Sequence, residues 1–162
     1  MAEKANFKTN ALRILEGLKI PYTLHKYDHD EGFVDGVGIA DKLGQNHAQV
    51  FKTIVTVGAS KSNYVFVLPV EKEIDFKTAA RTVGEKSVEM IKLADLTKIT
   101  GYIRGGCSPI GMKKKFVTVI DTSCTEFETI MVSAGKVGYQ MELAPGDLIR
   151  AAEAQTADIC QK

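Results

Sequence analysis

Two β-rich runs constrain the architecture most: residues 51–57, FKTIVTV, and residues 64–70, YVFVLPV, separated by a polar turn over 58–63. β-Branched and aromatic side chains at this density favour strands, and a spacer of that length predicts a hairpin with a loop rather than a two-residue turn. The second run is continuously apolar. Such a strand has no face to offer water, so it is expected at the centre of a sheet with other elements packed above and below.

The other elements follow from periodicity and punctuation. A helix is expected over 10–19, where Ala11, Ile14, Leu15 and Leu18 share one face and Pro21 follows. A short strand over 22–27 leads into an acidic, glycine-containing loop, and a second helix over 38–43 stops at Gly44. Asp75 reads as the N-cap of a third helix carrying Phe76, Ala79, Ala80 and Val83 on one face, with Gly84 just beyond it. Strands are expected over 87–91, 116–120, 129–133 and 139–143. Pro145 opens a last helix with Asp147 in its first turn. The helices are too few and too unevenly placed for a regular parallel fold. The expected class is α+β: a mixed, largely antiparallel, barrel-like sheet flanked by helices, in a single domain over residues 1–162.

Charge and composition exclude several functions. With 44% apolar and 25% charged residues and a net charge of +1, the chain is ordinary for a soluble protein and unsuited to coating nucleic acid broadly. No apolar run approaches the ~20 residues needed to cross a bilayer. The opening MAEKANFKTN lacks the apolar stretch of a secretory signal. Cys107, Cys124 and Cys160 are odd in number and lack paired spacing, so neither a disulfide framework nor a zinc site is expected. A reducing cytoplasm is the expected location.

Chemistry concentrates in a few places. Residues 101–115, GYIRGGCSPIGMKKK, combine irregularly spaced glycines with a proline and end in three lysines. That composition opposes a core helix and allows a loop whose backbone meets an anionic ligand closely, although an ordinary surface turn fits it as well. Neither GxGxxG nor GxxxxGK[ST] occurs. Lys52, between Phe51 and Thr53, is either a solvent-facing strand residue or an anchor for a phosphate or carbonyl oxygen. The turn Ser133-Ala134-Gly135-Lys136 ends a strand and can present backbone N–H groups to an anion. His25 and His29 with Asp28, Asp30 and Glu31 fit a solvated loop better than a metal site, because no spacing there fixes a coordination geometry. A serine triad would need Ser108 or Ser133 beside a histidine, and all three histidines lie in the first 50 residues. Cys107 reads more naturally as an incidental thiol than as a nucleophile.

Four segments in order, IPYTLHKYDHD (20–30), VFKTIV (50–55), TGYIRGGCSPIGMKKK (100–115) and FETIMVSAGKVG (127–138), resemble the YbaK/EbsC family of aminoacyl-tRNA editing proteins. These are relatives of the editing domain inserted in bacterial-type prolyl-tRNA synthetases, and the resemblance runs from about Phe7 to Ile159. It implies a trans-acting deacylase, without cofactor or metal, that clears mischarged tRNA. The first substrate it implies is Cys-tRNA(Pro), with the substrate's own thiol attacking its ester to release a thiolactone. Removal of alanine or another amino acid, or a non-catalytic nucleic-acid-binding role, are the alternatives.

The resemblance also assigns roles. Lys52 would hold the 3′-adenosine phosphate or the reacting ester, with Thr53 beside it, and the Gly105 carbonyl would meet the substrate's amino or hydroxyl group. Gly106 would keep the wall thin, Ser133 and Gly135 would edge the pocket, and Tyr27 would pack on the adenosine or the aminoacyl group. Lys113, Lys114 and Lys136 would meet tRNA phosphates. The implied partners are the aminoacylated acceptor end and, in one mode of action, prolyl-tRNA synthetase; no membrane is involved. Val137, Gly38 and Gln140 depart from the family's usual residues, which leaves the choice of amino acid open.

Overall fold

The computed structural model describes residues 7–29 and 34–162. Helix α1 (Asn10–Gly17) precedes β1 (Thr23–Lys26), and α2 (Gly36–Leu43) precedes the hairpin of β2 (Phe51–Gly58) and β3 (Asn63–Pro69). Next come α3 (Phe76–Val83), β4 (Val88–Met90), α4 (Leu96–Thr100) and β5 (Val117–Asp121). The chain closes with β6 (Ile130–Ser133), β7 (Tyr139–Leu143), α5 (Pro145–Ala152) and β8 (Gln155–Ala157).

Capping explains the helix starts. Thr9 accepts a hydrogen bond from the Leu12 N–H, and Asp75 accepts one from the Thr78 N–H, each satisfying a donor with no partner inside its helix. Asp35 does the same for Gly38 at 2.8 Å, so α2 begins at Gly36, two residues earlier than expected. Gly44 and Gly84 close α2 and α3 in left-handed conformation, as their positions predict.

The strands form two sheets, one ordered β1-β7-β6 and the other β4-β2-β3-β5-β8. β3 pairs antiparallel with β2 and parallel with β5, and β8 runs parallel to β5; the remaining pairs are antiparallel. The expected mixed sheet is present, but it does not close into a barrel. The two sheets are joined by a single parallel bridge, Val50 to Met131.

β3 is central and covered on both faces, as its apolar run requires. Val65 and Val67 face a core shared with α1, α5 and the three-stranded sheet, including Leu12, Leu15, Ile130, Met141 and Leu148. Phe66 and Leu68 face the opposite core beneath α3, with Ala79, Ala80, Val119 and Ile159. A third cluster of Ala40, Val50, Val70 and Met131 seats α2 over the bridge. Phe76, expected on the buried face of α3, is instead 38% exposed, because the alanines turn the closest side of that helix toward the sheet. No helix among the described residues is long and apolar enough to cross a membrane.

Leu68 is fully buried at the middle of this stack. Leu68→Ala should lower the unfolding free energy by about 2–5 kcal/mol in a urea titration. A loss under about 1 kcal/mol would show that the two-faced packing of β3 is not what holds the sheet.

Candidate functional site

The site forms where β2 loses its neighbour. In an antiparallel ladder, alternate residues turn their backbone groups to the same side. The Val70 N–H donates to Val50 at 2.8 Å and the Gly58 N–H donates to Ser62 at 2.8 Å, so the even-numbered residues of β2 bond to β3. Phe51, Thr53 and Val55 therefore turn theirs to the other edge. β4 covers that edge only over Thr56–Gly58, extended by the Ile91 N–H donating to Val55 at 3.2 Å. At the far end, the Met131 N–H donates to Gln49 at 3.0 Å, and beyond that bridge β6 splays away. Thr53 lies between the two, and no described strand covers that edge of it.

A pocket of about 370 Å³ fills this wedge. Its walls are Phe51 to Val55 of β2, Val132 and Ser133 of β6, Tyr139 and Gln140 of β7, and the loop residues Arg104, Gly105 and Cys107. Tyr27, Asp35 and, from α2, Gly36 and Ile39 also line it, as do Met90, Ile91, Leu93 and Leu96; Met90 and Leu93 are exposed and mark its mouth. The volume is in the range of small-molecule sites.

Of the residues singled out in the sequence, Tyr27, Lys52, Thr53, Gly105 and Ser133 line this pocket. Lys52 and Thr53 flank the open edge from opposite faces of the sheet: Lys52 pairs with Leu68 and Thr53 with Val67, whose side chains enter different cores. The Thr53 hydroxyl is buried without a hydrogen-bond partner, a state that costs about 1–3 kcal/mol in a folded protein. Tyr27 is buried, which raises its phenol above the ordinary pKa of 10.0 and keeps it a neutral donor.

Gly106 and Gly135 do not line the pocket; they build its wall. A Cβ on Gly106 would lie 2.9 Å from the Val137 nitrogen and 3.2 Å from the Lys136 carbonyl carbon, so the glycine loop packs backbone to backbone on the serine-glycine turn. Gly135 packs against Tyr102 and Thr9, and its N–H donates to the Ser133 hydroxyl at 3.2 Å. Tyr102 pins the loop from beneath by donating to the Ile110 carbonyl at 2.8 Å. Gly105 holds φ at +85°, a conformation that costs a side-chain-bearing residue about 1–2 kcal/mol.

The lysines also lie outside the pocket. Lys113 donates to the Lys98 carbonyl at 3.3 Å, Lys114 is exposed, and Lys115 pairs with Glu153. Lys136 rests over the Phe7 ring, 4.1 Å from its centre.

No triad assembles. His25 is bonded to Glu142 at 2.7 Å and His47 to Asp41 at 2.7 Å, both away from the pocket. Ser108 is fully buried with an unpartnered hydroxyl. Cys107 does line the pocket, but burial pushes its thiol up to about 11, so it stays protonated near neutral pH. Asp30 and Glu31, weighed as metal ligands, lie outside the described residues, among which no metal-binding cluster occurs.

Sequence reasoning missed Asp35, Met90, Leu93 and Leu96, and it named Arg104 only beside Cys107. It noted Gln140 as variable without seeing its partner. Gln140 is buried and exchanges two hydrogen bonds with Gln45, at 2.8 and 2.9 Å, tying the floor of the pocket to the end of α2.

The family model and a curated relative point to one family. The model of the aminoacyl-tRNA editing domain matches residues 37–151. An Enterococcus faecalis protein, EbsC, named as a candidate Cys-tRNA(Pro)/Cys-tRNA(Cys) deacylase, is 43% identical over 160 residues, covering 99% of this chain and 98% of its own. Among solved structures, a candidate trans-editing enzyme for prolyl-tRNA synthetase superposes with a TM-score of 0.80 at 19% identity, over 97% of this chain and 100% of that one. The hypothetical protein APE2540 gives 0.85 at 19% identity, over 94% and 99%. These two likenesses speak to the fold.

Two substitutions probe the site. Gly106→Ala should part the loop from the Lys136–Val137 backbone and weaken ligand binding in the pocket, measured by titration, while Tm falls by only a few degrees; unchanged binding would contradict the wall described above. Cys107→Ala should keep deacylation kcat/KM within about two-fold. A loss of about 100-fold or more would make the thiol a nucleophile after all.

Proposed function

The chain belongs to the aminoacyl-tRNA editing domain family, and on that footing we propose that it is a trans-acting deacylase whose main substrate is Cys-tRNA(Pro). The observation that carries this reading is a pocket that pairs Lys52 with an unpaired strand edge and a glycine loop, yet holds no nucleophile beside a base among the described residues. Such a site catalyses by holding a reactive substrate and stabilising charge. A cysteinyl ester brings its own nucleophile.

The terminal adenosine ester enters the wedge beside β2. The Gly105 carbonyl and the backbone carbonyl of Thr53 accept from the amino group, and the buried Thr53 hydroxyl gains the partner it lacks in the free protein. The substrate thiol loses its proton and attacks the ester carbonyl. A C–S bond forms, the C–O bond to the terminal ribose breaks, and the ribose oxygen takes up a proton. The products are a thiolactone and uncharged tRNA. Lys52 stabilises the negative charge that develops on the ester or anchors the neighbouring phosphate. Tyr27 packs on the aminoacyl end, and Ser133 fixes the turn that backs the pocket. Lys113, Lys114 and Lys136 offer charge to the acceptor stem.

A separate editing site answers a definite need. Cysteine and proline are close in size, and a pocket cannot reject a ligand no larger than the one it is shaped for. The substrate places the protein with translation in the cytoplasm. Docking on prolyl-tRNA synthetase supplies tRNA selection that this fold has no evident module to make.

A panel of mischarged tRNAs tests the reading. Cys-tRNA(Pro) should lose its amino acid faster with the protein than without it, and Lys52→Ala should reduce that rate by about 100-fold or more. Replacing the substrate thiol with a hydroxyl should suppress the reaction. Preferred release of alanine would reassign the substrate within the family, and no acceleration for any amino acid would refute deacylation.

A further inference from the structure

The three most exposed large apolar side chains named among the described residues are Met90 and Ile103, each 58% exposed, and Leu93, 57% exposed. They are not scattered. Met90 and Leu93 line the pocket mouth, and Ile103 precedes Arg104 and Gly105 on the loop that forms the adjoining wall. Single exposed apolar residues are ordinary, but two on the lining of one cleft, with a third next in sequence to its loop wall, mark a surface that something covers.

Charge identifies the partner. Lys92, Lys98, Arg104, Lys113 and Lys114 lie on the same segments, against the carboxylates of Glu89 and Asp95. Lys113 is tied to this face by its bond to the Lys98 carbonyl and by its backbone N–H donating to Thr100 at 3.0 Å. Apolar side chains interleaved with cations suit unstacked nucleobases, whose faces are apolar, strung on phosphates. A protein partner of acidic character would use the cations but would leave no reason for the apolar platform to continue into the pocket.

We propose that this rim of Met90, Leu93 and Ile103 is a landing strip for the single-stranded 3′ end of the substrate RNA. Its bases rest on the apolar side chains while its phosphates meet Lys98, Lys113 and Lys114. The inference rests on the editing reading and adds to it the surface that threads the strand into the pocket. The rim also explains how a nearly neutral protein grips RNA: only a few phosphates next to the reacting ester need be held.

Fluorescence anisotropy with a single-stranded RNA hexamer ending in CCA, alongside steady-state deacylation of mischarged tRNA, tests this. Met90→Ser, Leu93→Ser and Ile103→Ser should each weaken hexamer binding at least about three-fold and raise KM more than they lower kcat. Val117→Ser, at an exposed apolar site on β5 outside the pocket, serves as the matched control and should change neither. Lys98→Ala should flatten the dependence of log Kd on log salt by about 0.7. Hexamer binding and KM unchanged in all three rim variants would overturn the proposal. So would a dimer in sedimentation that the rim variants convert to monomer, since the rim would then cover a second copy of this chain. Failure of the editing reading is told apart by the wild-type protein: it would bind the hexamer in a rim-dependent way yet deacylate nothing.

Discussion

Everything distinctive about this protein depends on the incomplete pairing of β2. A sheet edge exposes backbone donors and acceptors that must find partners. Here β4 covers one end of β2, the Val50–Met131 bridge fixes the other, and the stretch around Thr53 is left open between them. Packed elements of the fold hold the gap. β3 carries β2 from behind with two separate cores, and α2 sits over the bridge on Ala40, Val50 and Val70. A largely apolar recess with one open strand edge in its wall is thus built into the fold.

The second wall is a contact between two glycine-bearing segments. At Gly105 and Gly106 the loop packs through its backbone, with Tyr102 tying it to Ile110 and the Lys136–Val137 backbone against Gly106. That arrangement sets Gly105, in left-handed conformation, on the pocket wall. It matches a chemistry of positioning, in which hydrogen bonds set in advance lower a barrier without a protein nucleophile. Burial of the Cys107 thiol, which holds it protonated, points the same way.

Much of the scaffold was legible from residue pattern. The 51–57 and 64–70 hairpin, the Asp75 cap with Gly84, the strand at 139–143 and the helix opened by Pro145 all stand where local chemistry puts them. Short elements were not. α4 covers only Leu96–Thr100, too brief for periodicity, and β8 is the polar, mostly exposed segment Gln155–Ala157, which pairs only with β5. Whether the sheet closes was equally hidden, since that depends on which distant strands meet. The same limit applies to the pocket. Lys52, Gly105 and Ser133 could be singled out because their segments are unusual. Met90 and Leu93 sit in an ordinary strand-and-turn sequence, and only their placement beside the cleft gives them meaning. Gly106 was expected to keep the wall thin, and the neighbour that requires it, the Lys136–Val137 backbone, could not be read from the sequence.

A crystal structure with a stable amide analogue of 3′-cysteinyl adenosine shows whether the aminoacyl end occupies the wedge beside Thr53, because the amide resists cleavage and stays in place. The amino group should lie within hydrogen-bond distance of the Thr53 and Gly105 carbonyls, with the adenosine toward Met90 and Leu93. An analogue bound elsewhere, with the β2 edge untouched, would contradict that placement.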